Sequence, residues 1–512
     1  MRNNKQLATN LIANIISFGV SFGISFFLSP YIISNVGKEA HGFVSLANDF
    51  VNYIALFTIA LNSMASRFIT IKIHKNELED ASYYFNSLFV GNIFISVLLI
   101  VPSILGIIYL DSFLNIKASI VTDVKILFAL SFTTFLVSLI SSTFSVAPFV
   151  KNRIDLASIR DIEANIVKVF VILILFYFFD VHVFFVGIAG LAYTLVQLKK
   201  NISYTKKLLP ELKISIGYFK IKYVFEMISA GAWNVLSKIS SILSSELSLL
   251  ISNLAIGDSA MGIIAVAKTF PNVLLQLMGV LASVFAPEFT ISYAKNDYDL
   301  LNKQIQSSMK IMGMIIGIPM TLLIGLGPFL FRLWVPSIDT KILYMMALLY
   351  GFGFIFAGPV EPLYNVFVAT NNIKIPSIYA LITGILNILM VILGLKFVEN
   401  DLLKMVIILG CTTLFTVIRT TIFIPIYAAY CLEFKKTVFY PQIIKSVVSV
   451  SIMSGILLFI QEKMAVTTWL QLILVSGIVA VAQFSLNFFL FFRRDERKAI
   501  IKKVGNFWVS NK

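Results

Sequence analysis

Arg67, Lys238, Lys268 and Arg419 each interrupt or border a long apolar run, and so do the acids Asp49, Glu246 and Glu361. A charge held inside a lipid bilayer costs a few kcal/mol to insert, so it normally faces protein or a wet cavity. Ammonium and guanidinium groups in such a place suit an anionic ligand, and the planar guanidinium can grip a phosphate or carboxylate with two parallel hydrogen bonds. The amides of Asn52, Asn272 and Gln276 both donate and accept, which is the chemistry a sugar needs. The acids have two readings: binding a coupling cation, or neutralising a nearby base.

Projected at 100° per residue, these residues fall into stripes. One face of the second apolar run carries Ser45, Asn48, Asn52, Asn62, Ser63 and Ser66, with Asp49 and Arg67 on its flank. The eighth lines up Lys268, Asn272, Gln276, Gly279 and Ser283 beside an expected kink at Pro271. The twelfth groups Thr412, Thr416 and Arg419. The bland alternatives are that Asn, Ser and Thr stripes are helix-packing seams and that Arg67 snorkels to the interface. In "NVLSKISSILSSELSLL", residues 234–250, Lys238 lies on the flank of a serine-rich arc while Glu246 falls opposite its centre. That projection predicts that the two charges do not pair and that Glu246 finds its partner on another helix. Glu361 lies between Pro359 and Pro362, where freed carbonyls beside a carboxylate can hold a cation, although a structural ion pair is the plainer reading.

The elements that must position these side chains are membrane helices. Of 512 residues, 58% are hydrophobic and 13% charged, and apolar runs long enough to cross the bilayer follow one another almost without pause. The pattern predicts an all-α, polytopic membrane protein with about fourteen spans, at 8–33, 43–65, 85–109, 123–149, 160–180, 183–198, 228–255, 260–287, 308–331, 342–369, 376–398, 403–431, 443–461 and 469–492. Most of the 41 Lys and Arg fall on one side of the membrane if both termini are cytoplasmic, with clusters after spans six and fourteen, "RRDERKAIIKK" being the second. The net charge of +15 is then topology, and no nucleic-acid partner is expected. Cys411 and Cys431 lie about 30 Å apart on one helix and cannot bridge there, the three histidines are scattered, and neither a metal nor a cofactor is expected.

The chain matches itself at an offset of 220 residues. Asn14, Ser17, Ser21 and Ser25 fall on Asn234, Ser237, Ser241 and Ser245; "GKEAHG" at 37–42 falls on "GDSAMG" at 257–262; "TIKIHKNELE" from 70 falls on "TISYAKNDYD" from 290. Over 14–87 there are 17 identities in 74 positions. An even number of spans per copy predicts a parallel repeat: a lobe at 1–212, a second at 213–432, a central cavity between them, and an appendage at 433–512.

With "NVGKEAHGFVSL", "NSMASRF" and the echo "IGDSAMGIIAVAKTF", the chain resembles the Wzx-type polysaccharide flippases, in the superfamily that includes MurJ lipid flippases and MATE exporters. Lys38 and His41 depart from the Pro and aromatic residue frequent in that loop. The resemblance implies a V-shaped bundle in the bacterial plasma membrane. Its expected activity is alternating-access export of undecaprenyl-pyrophosphate-linked oligosaccharide for a surface polysaccharide, beside a polymerase and export machinery. It also implies that the acids of spans seven and ten, Glu246 and Glu361, are where a MATE exporter places acids, whereas span one carries none. Two rivals stand. A MATE-type exporter of cationic drugs calls for a net acidic cavity. A membrane polymerase or ligase calls for a large outer loop, and the outer loops here are short. No phosphate loop for nucleotide hydrolysis is present, so a non-enzyme driven by a gradient or by product consumption is expected.

Overall fold

In lipid every backbone N–H and C=O must be bonded within the chain, and an apolar single run can do that only as a helix. The computed structural model describes residues 2–492 and 497, and among these it contains helices and turns but no strand. The basic tail from 493 lies, Arg497 apart, outside the described residues. Helices stand at each of the fourteen predicted positions. The first two, α1 (2–36) and α2 (38–74), form one hydrogen-bonded run, Arg2–His74, broken at Gly37, whose φ of 87° favours glycine. The others are α3 (Leu78–Ile108), α4 (Ala118–Val150), α5 (Ile154–Phe178), α6 (Phe184–Leu208), α7 (Ile221–Ala255) and α8 (Asp258–Ala294). They continue with α9 (Tyr298–Trp334), α10 (Thr340–Ala369), α11 (Lys374–Lys396), α12 (Asp401–Cys431), α13 (Tyr440–Gln461) and α14 (Trp469–Phe491). Eleven of the helical runs, α1–α2 counting as one, are long and apolar enough to cross a membrane; α5 and α6 are long but more polar.

Packing divides the chain into two units, 1–266 and 267–512. The division falls within α8, whereas the boundary expected from the sequence repeat lies at 212/213; the first unit holds α7 because that helix packs on α2 and α3. In the first unit α4 packs on α6, α5 on α6, and α1 on α5. The serine stripe of α1 is part of that last seam: Ser158 donates to Asn14 at 2.8 Å and Asn165 to Ser21 at 3.1 Å. Asn62, from the α2 stripe, joins Asn92 at 2.9 Å and accepts from Ser142 at 2.9 Å, so it too is a packing residue. The two G-x-x-A-x-G segments meet. A Cβ on Gly42 would lie 2.9 Å from the Gly262 Cα, and one on Gly262 would lie 2.6 Å from the Lys38 carbonyl. Only glycine permits that approach.

In the second unit α9 is the helix on which others assemble. Its Gly313, Gly317 and Gly325 receive Ser446, Val450 and Leu457 of α13, the small-residue contact that lets membrane helices close. Gln483 and Asn487 of α14 bond Ser449 of α13, and Asn487 donates to the Met314 carbonyl at 3.3 Å. Outward surfaces are apolar, as on Phe94, Leu98 and Val101 of α3 and Ile473, Leu474 and Ile478 of α14, as a lipid-facing wall requires.

Candidate functional site

The seventh helix brings two of the candidate charges together, against the projection. Lys238 Nζ lies 2.6 Å from Glu246 Oε1, and Ser241 donates to the same oxygen at 3.1 Å. The reason is a π turn at Ile242–Glu246. A π turn takes one extra residue, which turns everything after it back by about 100°, so an offset of about 80° between positions eight apart shrinks to about 20°. Glu246 therefore finds its partner on its own helix. Serines surround the turn and bond the preceding carbonyls, Ser240 to Leu236 at 2.8 Å and Ser245 to Ser241 at 3.2 Å, which suits a helix that departs from regular geometry. Tyr53 of α2 donates to the Glu246 carbonyl at 3.1 Å and feels the charges of Asp49 and Glu246. The second oxygen of Glu246 is buried and accepts no hydrogen bond.

The second unit holds two further groups. Lys268 of α8 is 5% exposed and sits 5.3 Å from the ring centre of Tyr350 on α10, a cation–π contact. The Tyr350 hydroxyl donates to Asn272 at 3.0 Å, so Lys268 and Asn272, one turn apart, meet on one tyrosine. Arg419 opens a second π turn, Arg419–Phe423, in α12. Threonines 412, 416 and 420 bond carbonyls one turn back along this stretch. Arg419 interacts electrostatically with Glu361, Tyr364 and Tyr379, yet closes no ion pair within 4.0 Å with a described residue, and its buried Nε makes no hydrogen bond. Glu361 sits where α10 tightens into a 3₁₀ turn at Glu361–Leu363, set by the two prolines. Tyr379 stacks on Phe423 at 3.7 Å between ring centres, walling one side.

Other candidates are not gathered in. Arg67 and Gln276 are exposed, and Asn52 is half-buried. A cation absent from the candidate set is Lys168, mid-way along α5. Its signal was available: Asp161, Asn165 and Lys168 recur at spacings of four and three, one face of a helix. Both cysteines are free. Among the described residues no three His, Cys, Asp or Glu side chains cluster to hold a metal.

No protein-family model matches the chain. It is 28% identical over 481 residues to a protein of Bacillus subtilis (strain 168) named "Uncharacterized membrane protein EpsK", covering 93% of this chain and 94% of that one. Among solved structures it is similar to lipid II flippase MurJ in an inward closed conformation, with a TM-score of 0.67 at 15% identity, covering 93% of this chain and 97% of that one. It is also similar to the eukaryotic MATE transporter AtDTX14, at 0.62 and 14% over 88% and 99% of the two chains, and to an inward-facing multidrug resistance MATE family transporter of the MOP superfamily, at 0.58 and 13% over 86% and 95%. The chain is a multi-pass, all-helical membrane protein with the fold that MurJ and the MATE transporters share.

Proposed function

We propose that this chain is a flippase that carries an undecaprenyl-pyrophosphate-linked oligosaccharide across the bacterial plasma membrane by alternating access, for assembly of a surface polysaccharide. In this reading residues 1–212 and 213–432 are the moving lobes, 433–512 is the appendage, the termini are cytoplasmic, and polymerase and export proteins take over the product. The observation that carries it is the character of the charges on this fold. Lys268 and Arg419 are held inside helices with amides, hydroxyls and aromatic rings around them, and the Arg419 fork keeps an unused buried donor. A pyrophosphate asks for such donors, and the attached sugars ask for Asn52, Asn272 and Gln276. Lys238 and Arg67 complete the proposed contact set. The chain acts as a transporter, not an enzyme, and the fold it shares with a lipid II flippase supports that.

One observation favours the rival, export of cations by a MATE-like route: the buried, unfilled oxygen of Glu246. The decisive experiment reconstitutes the protein in liposomes and follows loss of lipid-linked oligosaccharide from one leaflet, with efflux of a drug cation as the parallel measurement. Wild type is expected to move the lipid-linked sugar, and the double substitution Lys268→Ala with Arg419→Ala is expected to abolish it. Drug efflux without sugar movement overturns the assignment; full sugar movement by the double variant overturns the site.

A further inference from the structure

A second candidate site, a half-open cavity, lies within the first unit. A cavity of about 170 Å³ opens among α2, α4, α5 and α6, lined by Asn48, Ser131, Thr134, Ser138, Lys168 and Gly190 together with apolar side chains. Lys168 stands fourteen residues into a 25-residue helix, far from either end. Among the described residues its ammonium makes no hydrogen bond and no ion pair. Asp161, two turns away on the same helix, is already held by Arg160 at 2.7 Å and Gln197 at 2.8 Å. A half-buried, uncompensated ammonium at this depth is costly, and the ordinary remedies are a counter-charge or loss of the proton.

The lining decides between them, because it is rich in donors and poor in negative charge. The Thr134 hydroxyl is buried and has no hydrogen-bond partner. Nor has Ser131 a hydrogen-bond partner among the described residues, while Asn48 spends one amide hydrogen on the Val44 carbonyl at 3.0 Å and keeps the other. Ser138 spends its hydrogen on the Phe135 carbonyl at 2.7 Å. Three donor types thus converge on one positive charge, and no carboxylate lines the cavity. The volume is well below the roughly 300–1,000 Å³ of a site for a drug-sized molecule, and at about 30 Å³ per water it has room for an ion with a few waters.

We propose that this cavity binds a small monovalent anion, with hydrating water, on Lys168, Thr134, Ser131 and Asn48, and that the anion supplies the missing counter-charge of the first unit. None of these four residues is among the proposed substrate contacts, and the proposal does not rest on the flippase reading.

The test uses the purified full-length protein in detergent with chloride as the probe. Radiolabelled chloride is expected to bind at about one per chain. Replacing chloride by bulky gluconate at constant ionic strength is expected to lower the unfolding midpoint by about 2 °C or more. Lys168→Gln is expected to lose both the binding and the anion dependence. Gly190→Val is the second variant, because Gly190 lines the cavity and a Cβ there meets nothing within 4 Å; it is expected to lose chloride binding while still folding. Anion-independent stability with no bound chloride in wild type means that Lys168 is neutral and overturns the proposal, as does unchanged chloride binding by Lys168→Gln.

Discussion

Helices α7 and α12 each widen into a π turn beside a basic side chain, and the two turns serve opposite ends. In α7 the extra residue rotates Glu246 onto Lys238 and closes an ion pair at 2.6 Å within one helix. In α12 the turn begins at Arg419; Glu361, the acid that feels its charge, belongs to α10 and is not brought within 4.0 Å. One turn consumes a charge locally, while the other leaves a guanidinium with a donor to spare. A π turn is therefore not by itself a sign of a binding residue. What matters is whether the register change satisfies the charge or withholds its partner. On this comparison Arg419 is the better substrate contact, and Lys238 is first of all the counter-ion of Glu246.

The comparison breaks most visibly at the closed pair. Lys238→Met leaves a carboxylate in the helix wall with one serine donor, which for a fully buried pair costs about 3–5 kcal/mol. The two side chains are 22% and 16% exposed, so the expected loss is smaller, about 2–3 kcal/mol, read as a lowered unfolding midpoint in detergent. The double substitution Lys238→Met with Glu246→Met is expected to recover most of it. Equal stability of wild type, single and double variants would show that the pair does nothing structural.

The open charge is sharpened by a conservative change. Arg419→Lys keeps the positive charge near Glu361 and removes the planar fork. If the fork grips the ligand, the initial rate of lipid-linked sugar movement falls about tenfold, equivalent to about 1.4 kcal/mol, with folding unchanged. An unaffected rate would reduce Arg419 to a neutralising charge.

Much of the architecture was readable before any coordinates. Helix positions followed from apolar runs because lipid leaves no other way to satisfy a backbone. The repeated loop carries glycine at 37 and 257, and both adopt positive φ. The sites were less legible, for one physical reason: side-chain direction was projected at a fixed 100°, and a single added residue in α7 voids that beyond Ser241. Nothing in the apolar period reports such a turn, since Ile242 and Leu243 continue it unbroken. The threonines and serines that bond back along both helices mark where the turn is tolerated, not that it occurs. Contacts between helices were equally hidden: that Tyr350 would join Lys268 to Asn272, or that Asn62 would be spent on Asn92, depends on neighbours a projection does not contain.

A second ion pair, outside the membrane segments, gives the comparison its baseline. Lys151 and Glu211 meet at 2.9 Å with side chains 38% and 25% exposed. Burial pushes the Glu211 carboxyl up, but the Lys151 hydrogen bond and charge and a backbone amide outweigh it and hold the carboxyl below its ordinary value. A carboxyl whose folded value is depressed stabilises the fold above its unfolded value, near 4.5, and loses that contribution as pH falls through the lower folded value. Solvent screens this pair, so Glu211→Gln is expected to cost no more than about 0.5 kcal/mol at neutral pH, and less in high salt. Lys238→Met should keep nearly its whole cost in the same salt titration, because the α7 pair lies inside the helix wall. Parallel salt dependence of the two variants would mean that water reaches the α7 pair as freely as the surface one, and the contrast between a closed charge and an open one would have to be redrawn around hydration.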